Sequence, residues 1–344
     1  MKALVLHENK KLIYTDVPDP EKPGEEWVLI KVAATGICGS DIHRGFGGGA
    51  YHYPLIMGHE FSGYVEAPPS GSAYKKGDRV TVFPLIPCRK CVPCQTGNYA
   101  QCVDYDYLGS RRDGAFAEYV YAPEANLIPI PGHVDMEHAA MTEPCAVALH
   151  GANKFTMRPN ASAAVYGAGA IGNMVAQWLR IRGAREILIV DIDQEKLQTA
   201  ASMGFIPVNS RETDPVQEIY SRTGGLGADC VVEAVGLPAT FLQAVQSTAR
   251  FGETVFLGNI EGEFVIGEKD FSNILRKEIT IYGTWNSKFA PAGSSEWNAV
   301  LEYLDRGIDV GPLISHRPHL SEAVELFDRM VNKTETISRV IFHL

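Results

Sequence analysis

A glycine-rich turn between an apolar strand and a helix constrains the fold of this chain more than any other sequence feature. Gly167–Gly172 has the spacing G-x-G-x-x-G and directly follows the apolar run Ala161–Tyr166. A second apolar run, Glu186–Val190, ends in Asp191. Between the two runs, apolar side chains recur at helical spacing, at Ile171, Met174, Val175 and Trp178. Strand, turn, helix, strand and terminal acid together predict a dinucleotide-binding unit.

Each part of this unit has a physical role in binding an NAD-type cofactor. Glycines let the backbone approach a pyrophosphate at a helix N-terminus, where free N–H groups and the helix dipole favour anions. Asp191 would accept hydrogen bonds from the ribose hydroxyls and repel a 2′-phosphate, so we expect NAD to be preferred over NADP. Taken alone, Asp191 also fits a solvated strand end. The residues expected at the pyrophosphate are Gly167, Gly169, Ile171 and Gly172.

Strands and helices continue to alternate after this unit. A helix is predicted over Pro238–Ala249, and strands are predicted at Ala228–Glu233, Thr254–Leu257 and Glu278–Tyr282. This order predicts a doubly wound parallel sheet. Glycines that follow its strands are expected at the cofactor edge, and these are Gly236 and Gly258, with Gly283 after the last strand.

The first 125 residues have a different pattern, with short strands separated by turn residues. They predict a compact β-rich domain with strands at 2–6, 27–33, Phe61–Glu66 and Arg79–Phe83. Residues 136–151 predict a helical connection. Near the end of the chain, apolar spacing predicts two helices, around Trp297–Leu304 and Val324–Val331. The final strand, Ile337–Phe342, is expected to pack back onto the β-rich domain.

Within this domain, the segment Gly36–Glu60 carries the residues best suited to metal chemistry. Cys38, His59 and Glu60 offer a thiolate, an imidazole and a carboxylate, the mixed set that a catalytic zinc takes with one open position. Ser40 and His43 are close enough in sequence to carry a proton from a bound alcohol to solvent. Its many glycines suggest irregular, tightly turned backbone. The alternative is a buried cysteine and a core histidine beside a glycine-rich loop.

A second metal signal consists of four cysteines spaced C-x2-C-x2-C-x7-C, which are Cys88, Cys91, Cys94 and Cys102. Four thiolates at these spacings can close a tetrahedron around a structural zinc that has no open position. An iron–sulfur cluster and disulfides are the alternatives. The chain has seven cysteines, and an odd number clustered in this way favours metal over disulfides.

Three further positions are candidates for the site. Glu143 precedes a proline between apolar stretches and needs either exposure or a compensating charge, which a zinc ion would supply. Cys145 is a rival ligand or a small core residue. Arg111 and Arg112 are adjacent on a loop, where they are either a solvated pair or a fork that grips a carboxylate or phosphate.

Overall charge limits the partners that the chain can have. The net charge is −10, which argues against a general nucleic-acid or anionic-membrane binder. A phosphorylated substrate would need a local cluster of Arg or Lys. The N-terminal apolar run Ala3–Leu6 is too short for a signal-peptide core, and no 18-residue apolar stretch occurs. We therefore expect a cytoplasmic protein.

In combination, these segments resemble the zinc-containing medium-chain alcohol and polyol dehydrogenases over essentially the full length of the chain. The matching stretches are GICGSDIH, GHEFSG, KKGDRV, the four-cysteine lobe, DGAFAEY, Glu143-Pro144 and GAGAIG with Asp191. Other stretches are similar to the branch that oxidises galactitol 1-phosphate at carbon 5: YHYPLIMGHEFSGY, YLGSRRDGAFAEY, ILRKEITIYGTW and LISHR.

The resemblance implies a zinc enzyme that oxidises a secondary alcohol of a sugar-alcohol phosphate to a ketone with NAD. It implies an α/β chain with a GroES-like catalytic domain at 1–150 and 286–344, including a structural zinc lobe at 88–102, and a Rossmann NAD-binding domain at 151–285. Cys38 and His59 would hold the catalytic zinc, with Glu60 and Glu143 as direct or water-linked ligands.

Further residue roles and alternatives follow from the same resemblance. Ser40 and His43 match the proton-relay positions of the family, and Lys196 matches a basic residue near the adenosine ribose. Arg111 and Arg112 would compensate the substrate phosphate. Strand Glu278–Trp285 would pair across a homodimer, or within a homotetramer. Alternative functions are a dehydrogenase of unphosphorylated polyols (sorbitol or butanediol type), an L-threonine dehydrogenase, or a non-catalytic NAD-binding protein.

Overall fold

Antiparallel strands and a parallel α/β sheet occupy different parts of the chain in the computed structural model, which describes residues 1–290, 293 and 295–344. Met1–Ala146 and Ser287–Leu344 form a first unit, and Val147–Asn286 form a second. The strands are β1 Lys2–Glu8, β2 Lys11–Asp16, β3 Trp27–Gly36, β4 Leu55–Ile56, β5 Glu60–Ala67, β6 Arg79–Val82, β7 Leu85–Ile86, β8 Asp106–Tyr107, β9 Tyr119–Pro123, β10 Leu127–Pro129, β11 Ser162–Tyr166, β12 Glu186–Asp191, β13 Ile206–Asn209, β14 Ala228–Glu233, β15 Thr248–Phe256, β16 Thr280–Gly283, β17 Ile314–His316 and β18 Arg339–His343.

The helices are α1 Gly39–Phe46, α2 Val92–Gln95, α3 Met136–Ala140, α4 Thr142–Ala152, α5 Ala170–Ile181, α6 Gln194–Ser202, α7 Pro215–Arg222, α8 Pro238–Ser247, α9 Glu268–Lys277, α10 Glu296–Tyr303 and α11 Ala323–Asn332. The boundary between the units falls within α4. Among the described residues, no helix is both long and apolar enough to span a membrane.

Strand β3 organises the first unit. It pairs antiparallel with β5, β9 and β18, so that Gly36 lies opposite both Glu60 and Ile341. This register brings three distant segments together at one end of the sheet. Two apolar cores support the arrangement, one around β1 with α11 and one around β3, β5 and β6. Packing of buried aliphatic and aromatic side chains is the main contribution to the stability of such cores.

The second unit is a six-stranded sheet in the order β13-β12-β11-β14-β15-β16, and every neighbouring pair is parallel. The central strands β11 and β14 are buried over most of their length, as expected for a sheet with helices on both faces. This arrangement confirms the predicted doubly wound α/β class.

The sequence prediction was wrong in detail at three places. A helix, α1, covers Gly39–Phe46, where irregular backbone was expected, because Asp41 caps its N-terminus by accepting a hydrogen bond from the Cys38 N–H at 3.0 Å. The predicted strand from Glu278 begins at Thr280, because Glu278 caps α9 with a φ of 51°. The predicted helix over Pro238–Ala249 ends at Ser247, and β15 begins at the next residue.

Candidate active site and metal centres

The ligand atoms of Cys38, His59 and Glu60 all lie within 4.8 Å of one another, as a shared metal ion requires. Cys38 follows the end of β3 and caps α1, whereas His59 and Glu60 are at the start of β5. His59 and Glu60 are buried, and Cys38 is partly exposed, which leaves one side of the group open. The buried Oε2 of Glu60 accepts no hydrogen bond from the described residues, although Arg339 Nη1 lies 3.1 Å from it. A cation bound here would satisfy that oxygen.

A buried carboxylate, Asp41, lies beside the imidazole of His59. Asp41 accepts hydrogen bonds from the Cys38 N–H at 3.0 Å and from Arg44 at 2.9 Å, and its Oδ1 lies 3.5 Å from His59 Nδ1. Burial alone would lower the pKa of His59, but the charge of Asp41 raises it well above the usual value. An outer carboxylate on one ring nitrogen orients the other nitrogen toward a metal. Sequence reasoning missed Asp41, although its place in GSDIH was a usable signal.

Arg339 compensates the charge of Glu60. Its Nη1 donates to Glu60 Oε1 at 3.2 Å and to the carbonyl of Ile37 at 2.7 Å, and both side chains are buried. Gly36 makes room for this pair, because a Cβ at that position would lie 2.5 Å from Glu60 Oε2. Sequence reasoning missed Arg339, because β18 brings it from the far end of the chain.

Glu143 is near Cys38, His59 and Glu60, but its carboxylate is not among the ligand atoms that all lie within 4.8 Å of one another. Burial raises the pKa of the Glu143 carboxyl to about 7, while the charge of His59 opposes this shift and that of Glu60 adds to it. The metal-ligand group of the described residues contains Cys38, His59 and Glu60 without Glu143 or Cys145. Cys145 is fully buried on the same helix, α4. The ligand role of Glu143 stays a prediction.

The raised pKa of Glu143 predicts a pH-dependent stability of the metal-free protein. Between pH 4.5, the usual pKa, and about 7, the folded state holds a proton that the unfolded state has released. The free energy of unfolding therefore falls as pH rises through this window. Glu143→Gln should flatten that slope in urea unfolding of chelator-treated protein. Glu263→Gln, at an exposed carboxylate, is the matched control. Equal slopes in wild type and Glu143→Gln would contradict a raised pKa of Glu143.

Ser40 and His43 lie three residues apart on α1 and therefore share one side of this helix. Both are exposed. The glycine-rich loop after the helix packs against the imidazole ring, because a Cβ at Gly47 or Gly49 would lie 2.7 Å from Nδ1 or 2.6 Å from Cδ2 of His43. The glycines thus accommodate the ring. The relay role of both residues stays a prediction.

Tyr107 is a further residue that sequence reasoning missed. Its ring meets the His59 ring edge to face, with centroids 5.7 Å apart. Burial raises the pKa of the Tyr107 hydroxyl, and the charges of Glu143, Cys38 and Glu60 raise it further. Tyr107 therefore lines the metal-ligand group with a neutral hydroxyl.

The four cysteines of the lobe form a second ligand group, with their sulfur atoms within 4.8 Å of one another. The distance from Cys88 Sγ to Cys94 Sγ is 4.0 Å, and that from Cys91 Sγ to Cys102 Sγ is 3.9 Å. Sulfurs of a tetrahedral zinc site are about 3.8 Å apart, given Zn–S bonds of about 2.3 Å. A disulfide needs about 2.05 Å, and an iron–sulfur cluster spreads its cysteines over several irons. Hydrogen bonds from backbone N–H groups of Val103 and Cys94 lower the pKa of Cys91 to about 6.

Arg111 and Arg112 have different partners. The Arg111 guanidinium lies over the rings of Tyr51 and Tyr105, at 4.6 and 4.2 Å from their centroids. Arg112 donates to Asp106 at 2.8 Å and lies over the ring of Trp27. The expectation that the two guanidinium groups act as one fork is therefore not supported by their geometry. A role for either in substrate binding stays a prediction.

In the second unit, the glycine turn has the geometry that its sequence requires. Gly167 has a φ of 106°, and a Cβ at Gly172 would lie 1.8 Å from the Gly167 carbonyl. Gly169 precedes α5, whose first turn contains Ile171. Asn173, which sequence reasoning missed, closes the turn by donating to the carbonyls of Ala168 and Gly169. The free N–H groups at the start of α5 can bind an anion.

Asp191 ends β12 beside this turn. Its Oδ2 accepts from Ala168 N at 2.7 Å, and its Oδ1 accepts from the N–H groups of Ile192 and Asp193. A carboxylate has about four acceptor positions, so it can still bind a hydroxyl. Lys196 is in the first turn of α6, the helix that follows.

Gly236 and Gly258 lie together at the carboxyl end of β14 and β15. A Cβ on Gly258 would come within 2.5 Å of both Gly236 N and the buried Glu233 carboxylate. Glu233 Oε1 accepts from the N–H groups of Val235 and Gly236. The carboxyl edge of a parallel sheet is where such folds bind their ligands.

Comparison with known proteins agrees with these features. Residues 24–132 match the model of the alcohol dehydrogenase GroES-like domain, and residues 170–306 match that of the zinc-binding dehydrogenases. The chain is 35% identical over 301 residues to galactitol 1-phosphate 5-dehydrogenase of Escherichia coli (strain K12), covering 87% of each chain. It is 32% identical to sorbitol dehydrogenase of Bacillus subtilis (strain 168), covering 99% of this chain and 97% of the relative.

Solved structures give the same picture. The crystal structure of galactitol-1-phosphate dehydrogenase from Escherichia coli superimposes with a TM-score of 0.94 at 32% identity over the whole of both chains. A protein described as a zinc-binding dehydrogenase from Sinorhizobium meliloti 1021, bound to NADP, has a TM-score of 0.91 at 30% identity, covering 100% of this chain and 99% of that one.

Proposed function

This chain belongs to the zinc-type medium-chain alcohol and polyol dehydrogenase family, and within it we propose that the protein oxidises a secondary alcohol of a sugar-alcohol phosphate to a ketone with NAD. The observation that carries the proposal is the group of Cys38, His59 and Glu60, whose ligand atoms lie within 4.8 Å of one another. A thiolate, an imidazole and a carboxylate with one open side are the donor set of a catalytic zinc.

The residues of the site fit this chemistry. Cys38, His59 and Glu60 would hold a zinc ion, with Glu143 as a further direct or water-linked ligand, and this ion would supply the Lewis acidity that lowers the pKa of an alcohol. Asp41 orients the His59 ring, and Arg339 balances the charge of Glu60. Bound NAD would supply the hydride acceptor, C4 of its nicotinamide, for the hydride that leaves the alcohol carbon.

A proton must leave when the alcohol becomes a ketone. We assign its removal to Ser40 and His43, which share one side of α1 and are both exposed to solvent. Ser40 would take the proton from the alcohol, and His43 would pass it to water. Transfer by positioned groups of this kind contributes typically about 10²- to 10⁴-fold to a rate.

The turn Gly167–Gly172 is proposed to hold the cofactor pyrophosphate, with Asp191 on the adenosine ribose and Lys196 near it. Gly236 and Gly258 would line the cofactor at the carboxyl edge of the sheet. The relative from Sinorhizobium meliloti was crystallised with NADP, so this fold can also accept a 2′-phosphate. The carboxylate of Asp191 favours NAD, because it would repel a 2′-phosphate.

Removing this charge is expected to relax cofactor choice. Asp191→Ala should raise KM for NAD about 10-fold or more, as the loss of hydrogen bonds to a charged acceptor implies. NADP should then compete with NAD in initial-rate assays. Asp191→Asn, which keeps an acceptor without the charge, separates repulsion from hydrogen bonding. Unchanged selectivity in both variants would contradict the ribose role.

The four-cysteine lobe is proposed to hold a second, structural zinc. Its sulfur–sulfur distances fit a closed tetrahedron, so it leaves no position for substrate. Two zinc ions per chain are therefore expected, one in each ligand group.

We also propose that copies of the chain associate through strand β16, as a homodimer or within a homotetramer. β16 is at the edge of the six-stranded sheet, and α9 beside it has no buried residue. Phe271, Leu275 and Trp285 expose more than half of their surface. An unpaired edge next to apolar side chains favours pairing with another copy. A monomer in sedimentation at micromolar concentration would contradict this.

The proposed substrate is tested by a metal count together with initial rates on a matched panel. Galactitol 1-phosphate, galactitol, sorbitol, 2,3-butanediol and L-threonine should be compared with NAD at equal zinc content. We expect the highest kcat/KM for the phosphorylated polyol. A higher value for a free polyol or for L-threonine would assign the protein to another branch, and no turnover with bound NAD would favour a non-catalytic NAD-binding protein.

A further inference from the structure

Strand β8 places the two adjacent arginines on different sides of the chain. Side chains alternate along a strand, so Asp106 and Tyr107 of β8 point to opposite sides. The rings of Tyr105 and Tyr107 are in contact, with centroids 6.3 Å apart. Arg111 lies over the Tyr105 ring, whereas Arg112 pairs with Asp106. The alternation of the strand therefore separates Arg111 from Arg112.

The side that carries Arg111 leads to the metal-ligand group. The ring of Tyr107 meets the ring of His59 edge to face. A continuous row of side chains thus runs from His59 through Tyr107 and Tyr105 to Arg111. A hexitol phosphate has a reacting hydroxyl near one end and its charge at the other. The row has the metal-ligand group at one end, where the hydroxyl would react, and the cation Arg111 at the other, where the phosphate would lie.

Arg111 is held in place but keeps free donors. The rings of Tyr51 and Tyr105 contact its guanidinium, which donates to the Tyr105 carbonyl at 3.3 Å and to the Tyr51 hydroxyl at 3.5 Å. Its own carbonyl lies 3.3 Å from a ring nitrogen of His52. A guanidinium has five N–H donors, so others remain for a ligand. Among the described residues, no carboxylate forms an ion pair with Arg111.

The space beside Arg111 suits an anion. Arg111 and Lys90 line the same shallow, open cavity of about 610 Å³, together with Tyr51, Tyr105 and Cys88 of the lobe. Asp104 and Asp106 also border this cavity, but Asp106 is paired with Arg112. Because the charge of Arg112 is already compensated, Arg111 is the arginine whose charge is available. Arg112 borders a different cavity, beside Pro18 and Tyr119.

We propose that Arg111, and not Arg112, binds the phosphate of the substrate, with Tyr105 and Tyr107 lining the path to the metal-ligand group. This rests on the proposed function, because it names the phosphate contact of that same site. Contacts with the rings of Tyr51 and Tyr105 restrict the positions of the exposed guanidinium, which lowers the cost of ordering it when the phosphate binds. Lys90 supplies a second positive charge at the same cavity.

The test compares Arg111→Ala with Arg112→Ala, on galactitol 1-phosphate and on galactitol. The measured quantity is the ratio of kcat/KM for the phosphorylated polyol to that for the free one. Loss of a charge-assisted contact should lower this ratio roughly 10- to 100-fold in Arg111→Ala. In Arg112→Ala, whose arginine contacts Asp106 and Trp27, the ratio should stay at the wild-type value. For Arg111→Lys, this ratio should lie between those of Arg111→Ala and the wild type, because lysine keeps the charge but lacks the forked guanidinium.

A second measurement does not depend on turnover of the substrate phosphate. Inorganic phosphate should inhibit galactitol oxidation by the wild type and by Arg112→Ala. Its inhibition constant for Arg111→Ala should be higher, by a factor similar to the fall in the kcat/KM ratio. Zinc content and melting temperature, measured for every variant, separate a binding defect from misfolding. Arg111→Gln, which preserves much of the side-chain volume, serves if the alanine variant is unstable.

The outcomes separate this assignment from the proposed function. If the wild type prefers the phosphorylated polyol but Arg112→Ala lowers the ratio more than Arg111→Ala, the proposed function stands and the assignment to Arg111 is wrong. Equal ratios in wild type and Arg111→Ala also overturn the assignment. If the wild type shows no preference for the phosphorylated polyol, the proposed substrate and the phosphate contact are both wrong.

Discussion

Replacing Cys38 with serine is expected to abolish turnover and to remove one zinc ion per chain. The thiolate is the softest of the three donors in its group, and a neutral hydroxyl is a poor substitute for it. Without the metal, the alcohol keeps its ordinary pKa, so kcat/KM should fall roughly 10³-fold or more. Metal analysis and initial rates on the same preparation measure both effects.

Cys230→Ser is the matched control for this change. Cys230 is buried, whereas Cys38 is partly exposed, and it belongs to neither ligand group; burial raises the pKa of its thiol to about 12. The control should keep two zinc ions and its activity. A Cys38→Ser protein that keeps full activity would remove the catalytic-zinc assignment, and loss of zinc from the control would make metal content an unspecific measure.

Replacing Cys94 with serine is expected to cause the largest loss of stability. Residues 88–102 contain only the four-residue helix α2 and a short 3-10 turn, so the ligand group is the main element that orders them. Structural zinc contributes apparent free energies of about 10–16 kcal/mol in isolated zinc-finger peptides. Even a fraction of this would lower the melting temperature by about 10 °C or more in a chain of this size.

The result should be read together with the metal count. Cys94→Ser is expected to lose one zinc ion, to keep the one bound near Cys38, and to melt earlier than Cys230→Ser. The lobe assignment would be contradicted by a variant that retains two zinc ions and the wild-type melting temperature. Activity is expected to fall only as far as the folded fraction falls, because the lobe leaves no open position for substrate.

Features that depend on neighbouring residues could be predicted from the sequence. The glycine turn, its flanking strands and Asp191 lie within 31 residues of sequence, and each is explained by local backbone geometry. The spacing of the four cysteines likewise determines a closed ligand group, because the loop between them is short. The doubly wound sheet followed from the alternation of strands and helices.

Features that depend on distant pairing could not be predicted. Arg339 reaches Glu60 only because β18 pairs with β3, a register that no local pattern specifies. The different surroundings of Arg111 and Arg112 depend on the strand β8, which has two residues and no recognisable pattern of its own. Helix α1 was not predicted, because its glycines indicated irregular backbone and the capping role of Asp41 was not recognised.

The proposed catalysis depends most on a metal ion at Cys38, His59 and Glu60, and anomalous X-ray scattering at the zinc edge tests this most directly. Crystals grown with excess zinc should show two anomalous peaks in each chain. One peak is expected among the four cysteines of the lobe, and the other within bonding distance of Cys38 Sγ and a ring nitrogen of His59. A single peak, confined to the lobe, would contradict the account.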